Sequence, residues 1–128
     1  MMHGLGTDII EVARVRAVYQ RHGKRFLDRI YTAAEQDYCL QQHDPGQRLA
    51  ARWAAKEAFF KALGSGIIGK VRMSDVEIYH DNAGAPHLRP HNLAQEWLQQ
   101  RGTLTCWLSM SHCQNYATAT VVLTDSPP

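Results

Sequence analysis

The 128-residue sequence is short of the features that mark a specialised setting. Cysteine occurs three times, as Cys39, Cys106 and Cys113. An odd, scattered set with no C-x-x-C argues against a disulfide framework and against a zinc-like cluster. No apolar run approaches the roughly 20 residues of a membrane-spanning helix. No basic start followed by an apolar run opens the chain, so no signal peptide and a cytoplasmic location are expected. Internal repeats and low-complexity segments are lacking. The seven histidines form no H-E-x-x-H, and Pro90 breaks the helical spacing of His87 and His91. Net charge is only +2, too small to imply a nucleic-acid partner.

The apolar share of 45% and the charged share of 20% are ordinary for a globular chain. The length suits one domain over residues 1–128, able to bury a core without staples. Charge is uneven, however. Between Arg14 and Arg29 six Lys or Arg stand against one acid, Asp28, an excess that attracts an acidic partner.

Residues 2–10 alternate as a strand, with Leu5, Thr7 and Ile9 on one face and Gly4, Gly6 and Asp8 on the other. The glycines leave open space beside a carboxylate or admit another backbone. Residues 11–20 read as a helix carrying Val12, Val15 and Tyr19 inward. Arg14, Arg21 and Arg25 share another side if it continues past Gly23. Thr32 and Glu35 form a capping box that starts a second helix over 32–40. Asp44, Pro45 and Gln47 start a third, which ends near Leu63 with Gly64 as its left-handed stop. Strands follow at 71–80 and 85–89 around a D-N-A-G turn. A helix at 91–101 and strands at 103–111 and 116–124 complete an α+β chain with antiparallel pairs and segregated helices.

The third helix poses a question. Leu49, Trp53, Phe60 and Leu63 fall in one narrow stripe, with Lys56 in its middle and Glu57 and Lys61 beside it. In one reading Glu57 and Lys61 are an ordinary i,i+4 ion pair, and Lys56 sends its amine to water. In the other, a carboxylate and two amines are fixed at a cleft. A half-buried Glu57 then needs a cation. Asp8 and Glu57 together offer two hard oxygen donors, the number Mg²⁺ commonly takes before completing its shell with waters and substrate phosphates. Lys61 and the amides of Gly64, Ser65 and Gly66 would face those phosphates. The G-S-G-I-I-G-K run is not a P-loop: Val71 follows it, and it leaves a helix instead of opening one. His112, at the turn between the last two strands, is either a surface residue or a phosphate donor.

Four segments in order resemble a known family. "GLGTDIIEVARV", "RWAAKEAFFKALGSGI", "DNAGAPHL" and "LSMSHCQNYATATVV" are similar to the Gly-x-Asp, Lys-Glu-Ala-x-x-Lys, Gly-x-Pro and Ser-x-Ser-His segments of the small stand-alone 4′-phosphopantetheinyl transferases, the holo-acyl-carrier-protein synthases. Thr7 replaces a usually apolar residue. The resemblance implies the phosphopantetheinyl transferase fold, an antiparallel sheet packed with a long central helix. It implies a serine of an apo acyl carrier protein attacking the β-phosphate of coenzyme A, with 3′,5′-ADP leaving, in support of fatty acid biosynthesis. It places Mg²⁺ on Asp8 and Glu57, and has Lys61 neutralise the pyrophosphate charge or protonate the leaving phosphate. Glu57, or a water held by the metal, would take the serine proton. Arg52, Lys56, Lys61, Gly64, Ser65, Gly66 and His112 would line the cofactor, with a structural role for Lys56 equally open. Arg14, Arg21, Lys24 and Arg25 would meet the acidic carrier. A homotrimer with sites between subunits is implied, and neither nucleic acid nor membrane is an expected partner. Two other readings are a nucleic-acid module using the basic stretch and a Mg²⁺-dependent pyrophosphate hydrolase using the same carboxylates.

Overall fold

The computed structural model describes residues 1–64, 70–103 and 105–127. Strand β1 (Met2–Glu11) alternates as the sequence implies. Leu5 and Ile9 point out, 59% and 64% exposed, while Gly6 is buried. The two glycines serve close approach. A Cβ on Gly4 would collide with the Ala62 carbonyl, and one on Gly6 with the Ala58 carbonyl. Helix α4 (Gly46–Leu63) therefore lies with its backbone almost on the strand.

Helix α1 (Val12–His22) buries Val12 and Val15. It does not run on. Gly23 takes φ 54, and α2 (Lys24–Ile30) starts afresh beyond it. Arg14, Arg21 and Arg25 thus belong to two helices, a correction to the single basic face expected of a continuous one. Helix α3 (Ala33–Cys39) opens on the expected Thr32–Glu35 capping box. At α4 the start differs from expectation: Pro45 is the cap residue, and Asp44 accepts from the Gly46 N–H at 3.0 Å. Gln47 turns instead toward the Cys113 carbonyl, 3.4 Å away. Gly64, at φ 90, ends the helix where expected.

A 3₁₀ turn (Met73–Asp75) takes the first part of the segment expected to be strand. The hairpin β2 (Val76–His80) and β3 (Pro86–Pro90) follows as a separate two-stranded sheet. Helix α5 (Asn92–Gln100) precedes β4 (Thr105–His112) and β5 (Tyr116–Thr124). The main sheet has the order β1-β5-β4, antiparallel throughout. Its inner face, with Ala117, Ala119, Val121 and Leu123 buried, takes α4 across it. The alanines of α4 (Ala50, Ala51, Ala54, Ala55, Ala58, Ala62) are all buried, which is how one helix touches both core clusters. No described helix is long and apolar enough to cross a membrane.

Candidate active site

Asp8 projects from the inner face of β1 toward α4. Gly4 faces Ala62 and Gly6 faces Ala58, so each step of two along the strand moves one turn back along the helix. Lys61 leans in the same direction and closes the gap. Its Nζ donates to Asp8 Oδ1 and to the Thr7 carbonyl, each at 3.0 Å. Glu57 lies one turn earlier on the row that Lys61 covers, and its Oε1 accepts from the Trp53 indole N–H at 3.2 Å. The simple Glu57–Lys61 ion pair is therefore corrected: Lys61 takes Asp8 as its partner. The second oxygen of Asp8 and that of Glu57 carry no protein hydrogen bond among the described residues. The donor set is two hard carboxylate oxygens on rigid elements, which fits a hard divalent cation that keeps waters and phosphate in its shell. Among the described residues no group of three or more His, Cys, Asp or Glu forms a closed metal cage.

Lys56 has a different place. Its side chain is fully buried, and its ammonium donates to Glu35 Oε1 at 2.7 Å, to the Met73 carbonyl at 2.9 Å and to the Val76 carbonyl. Burial pulls its pKa below the ordinary lysine value, against the attraction of Glu35. No face of this amine is left for a cofactor, and none meets water. Both the cofactor contact and the solvated amine are thereby corrected in favour of the structural role.

Arg52 and His112 do come together. They line a groove of about 500 Å³ with Tyr38, Arg48 and His80. Arg48 and Arg52 lie over the Tyr38 ring, 4.0 and 4.3 Å from its centroid, and His80 stacks on the same ring. Arg52 Nη2 meets His80 Nδ1 at 3.2 Å, whereas the buried Arg52 Nε has no partner among the described residues. Burial first, then the Arg52 and Arg48 charges, push the His80 imidazole below the ordinary histidine value. Two guanidiniums and two imidazoles at one groove suit a phosphorylated ligand.

The groove and the carboxylate row do not meet within one chain. Nine residues separate Arg52 from Lys61, about two and a half helical turns, so they point to opposite sides of α4. The sheet repeats the separation. Asp8 and Met110 both pair with Ala119, and His112 follows two residues on. Asp8 and His112 thus stand on the two edge strands of one inner face, with α4 laid between.

The basic segment frames a second cavity of about 330 Å³, lined by Val18, His22, Arg25, Phe26, Arg29, Ile30 and Trp53. Arg14, Arg21, Lys24 and Arg25 are all exposed. Lys24 is held by Asp28 and Gln36, each at 2.9 Å. Ser65 and Gly66 lie outside the described residues, whereas Gly64 is exposed at the helix end.

Residues 4–121 match the model of the 4'-phosphopantetheinyl transferase superfamily. The chain belongs to this superfamily. A holo-[acyl-carrier-protein] synthase of Koribacter versatilis is 44% identical over 125 residues, 98% of this chain and 100% of that one. The crystal structure of the holo-[acyl-carrier-protein] synthase from Neisseria meningitidis superposes with TM-score 0.88 at 37% identity, covering 97% of this chain and 99% of that one. The Bacillus anthracis synthase, solved in complex with CoA (3',5'-ADP), superposes with TM-score 0.81 at 33% identity, covering 98% and 99%. The α+β fold is that of these phosphopantetheinyl transferases, and the chain is a transferase of this kind. Sequence reasoning missed Tyr38, Arg48 and His80 in the groove. Their spacing carries no pattern, because three separate elements bring them together. From the sequence Glu35 reads only as a helix cap; the one signal for its second role is Lys56 in the middle of an apolar stripe, where a lysine that does not reach water needs an acid.

Proposed function

We propose that the chain moves 4′-phosphopantetheine from coenzyme A to a serine of an apo acyl carrier protein, releasing 3′,5′-ADP, in the cytoplasm and in support of fatty acid biosynthesis. The observation that carries this reading is the Asp8–Lys61 pair beside Glu57, set on the fold of this superfamily. The serine oxygen bonds to the β-phosphorus as the bond from that phosphorus to the bridging oxygen breaks. Phosphoryl transfer asks the protein mainly for positioning and charge. Asp8 and Glu57 would hold Mg²⁺, which when bound neutralises phosphate charge. Lys61 has three donors and uses two on Asp8 and Thr7. The third, which meets no acceptor among the described residues, would serve a phosphate oxygen, where it stabilises charge as the 3′,5′-ADP departs. The serine proton passes to a base on the carboxylate row, either Glu57 or a water beside it.

The cationic groove of Arg48, Arg52, His80 and His112 supports a site for the coenzyme A phosphates. Because it opens on the far side of α4 from Lys61, a complete site is best assembled from two copies, and a homotrimer provides that. An exposed apolar face is there to be covered. Leu5, Val122 and Trp107 form one cross-strand row on the outer side of the main sheet, with Ile9 further along. The carrier would dock on the basic α1–α2 surface through Arg14, Arg21, Lys24 and Arg25, over the cavity floored by Phe26 and Trp53. Opposite charge there speeds encounter and weakens with salt.

The test is the mass of a purified apo carrier incubated with the protein, coenzyme A and Mg²⁺. Addition of one phosphopantetheine at a serine supports the proposal. A carrier that stays unmodified in the presence of Mg²⁺ overturns it, and breakdown of coenzyme A without carrier would point to a hydrolase.

A further inference from the structure

We propose that the buried Lys56–Glu35 pair is a positioning device that fixes the rotation of α4, and thereby aims Glu57 and Lys61 at Asp8. The proposal rests on the transferase reading above. Both members of the pair are 0% exposed in their side chains. Every donor of Lys56 is used, on Glu35, Met73 and Val76. The Glu35 carboxylate is equally engaged. Besides Lys56, it accepts from the Thr32 N–H at 2.9 Å and the Ile78 N–H at 3.1 Å. One ionic node thus ties α4 to α3, to the 3₁₀ turn and to β2.

The rest of α4 is held differently. Gly4 and Gly6 of β1 set how closely strand and helix approach, through backbone contact. Nearer the ends the ties are bonds to backbone carbonyls: Gln47 reaches the Cys113 carbonyl, Arg48 Nη1 donates to the Tyr38 carbonyl at 2.7 Å, Tyr31 Oη to the Leu49 carbonyl at 2.7 Å, and Arg101 Nη1 to the Leu63 carbonyl at 2.8 Å. At the middle turns Arg52 meets His80 from the groove side, and the fully buried tie is Lys56, the residue immediately before Glu57. An alanine-rich helix surface offers few side-chain ridges to resist rotation. A turn of about 10° moves a side-chain tip at the helix surface by about 1 Å, given a helix diameter of ~10–12 Å. Misplacement by about 1 Å can cost ~10²-fold in rate. A buried ion pair adds little net stability over well-packed apolar residues, and fixing one geometry is a recognised reason to keep one.

The test compares wild type with the double variant Glu35→Leu/Lys56→Met, which removes both charges together. Two readouts are taken. One is steady-state transfer, separating kcat from the KM for coenzyme A. The other needs no substrate: the indole N–H resonance of Trp53, assigned with Trp53→Phe, which reports its bond to Glu57. For a folded double variant the expected result is kcat lower by about 10-fold or more, KM within about threefold, and a displaced Trp53 resonance. A folded double variant with wild-type kcat and an unmoved resonance overturns the proposal. So does one that only melts earlier. If the double variant does not fold, Glu35→Gln, which keeps the shape and one acceptor, is judged by the same two readouts. Wild-type protein that transfers nothing would defeat the transferase reading, and the Trp53 resonance would still decide the role of the pair.

Discussion

Lys56 and Lys61 sit on the same helix, and their surroundings could hardly differ more. The first is sealed among Glu35 and two carbonyls with no exposed surface; the second is 56% exposed and bridges to Asp8. Around Lys56 the helix is closed and its charge is satisfied internally. The row of Asp8 and Glu57 is open, and its carboxylates keep oxygens that no donor among the described residues fills. Charge on a helix therefore has two uses here, and burial separates them. A lysine with all three donors engaged serves the fold, whereas one with a donor to spare is available for chemistry.

The contrast can be broken from either side. The largest effect belongs to the closed face. Lys56→Met leaves Glu35 buried without its cation and should lower unfolding stability by about 3–5 kcal/mol. A shift in urea midpoint measures this, and an unshifted midpoint would show that the pair is not a buried ion pair. On the open face, Asp8→Ala or Glu57→Ala should leave the urea midpoint nearly in place. Transfer should nonetheless fall by about 10²–10³-fold, as when one transition-state stabiliser is removed. Normal turnover of both variants, read by carrier mass, would strip the row of its role.

A third change joins the faces. Gly6→Ala pushes β1 away from the Ala58 carbonyl, and such overpacking costs about 1–3 kcal/mol. Because Asp8 moves with the strand, transfer should drop as well. Retained stability and activity would mean that the close approach is dispensable.

Smaller still is a pH effect at the groove. In the free protein His80 favours its neutral form, since burial and the Arg52 and Arg48 charges lower its pKa. Bound phosphates favour the protonated form and raise it. Affinity for coenzyme A should therefore strengthen as pH falls from neutrality, and level off below the value of free His80. Calorimetric titrations across that range check this, with His80→Ala expected to flatten the trend by removing a few-fold dependence at most. A trend that survives His80→Ala would assign the effect elsewhere.

Much of this arrangement was legible in the residues. The capping box at Thr32, the stop at Gly64 and the alternation of β1 are local, and local chemistry decided them. The glycines beside Asp8 offer either open space or close approach of another backbone, and the packing of α4 decides for close approach. Other features depend on distant partners and leave no spacing to read. The sequence leaves open whether the helix continues past Gly23, because whether a glycine bends or ends a helix depends on what α2 packs against. Asp44 reads as the cap itself, but the helix starts one residue later, with Pro45 as its cap residue, and Asp44 pairs with Arg16 at 2.8 Å while accepting from the Gly46 N–H. Lys56 fell in the middle of an apolar stripe, and its partner Glu35 lies 21 positions away. The groove is built from α3, α4, β2 and β4, so no single stretch carries its pattern.

The measurement that bears most directly on the open face is a calorimetric titration of Mg²⁺ into the protein saturated with coenzyme A. Wild type should bind one ion per complete site, and Asp8→Ala and Glu57→Ala should each abolish that binding while coenzyme A still binds. Two variants that take up Mg²⁺ as wild type does would show that these carboxylates do not share an ion.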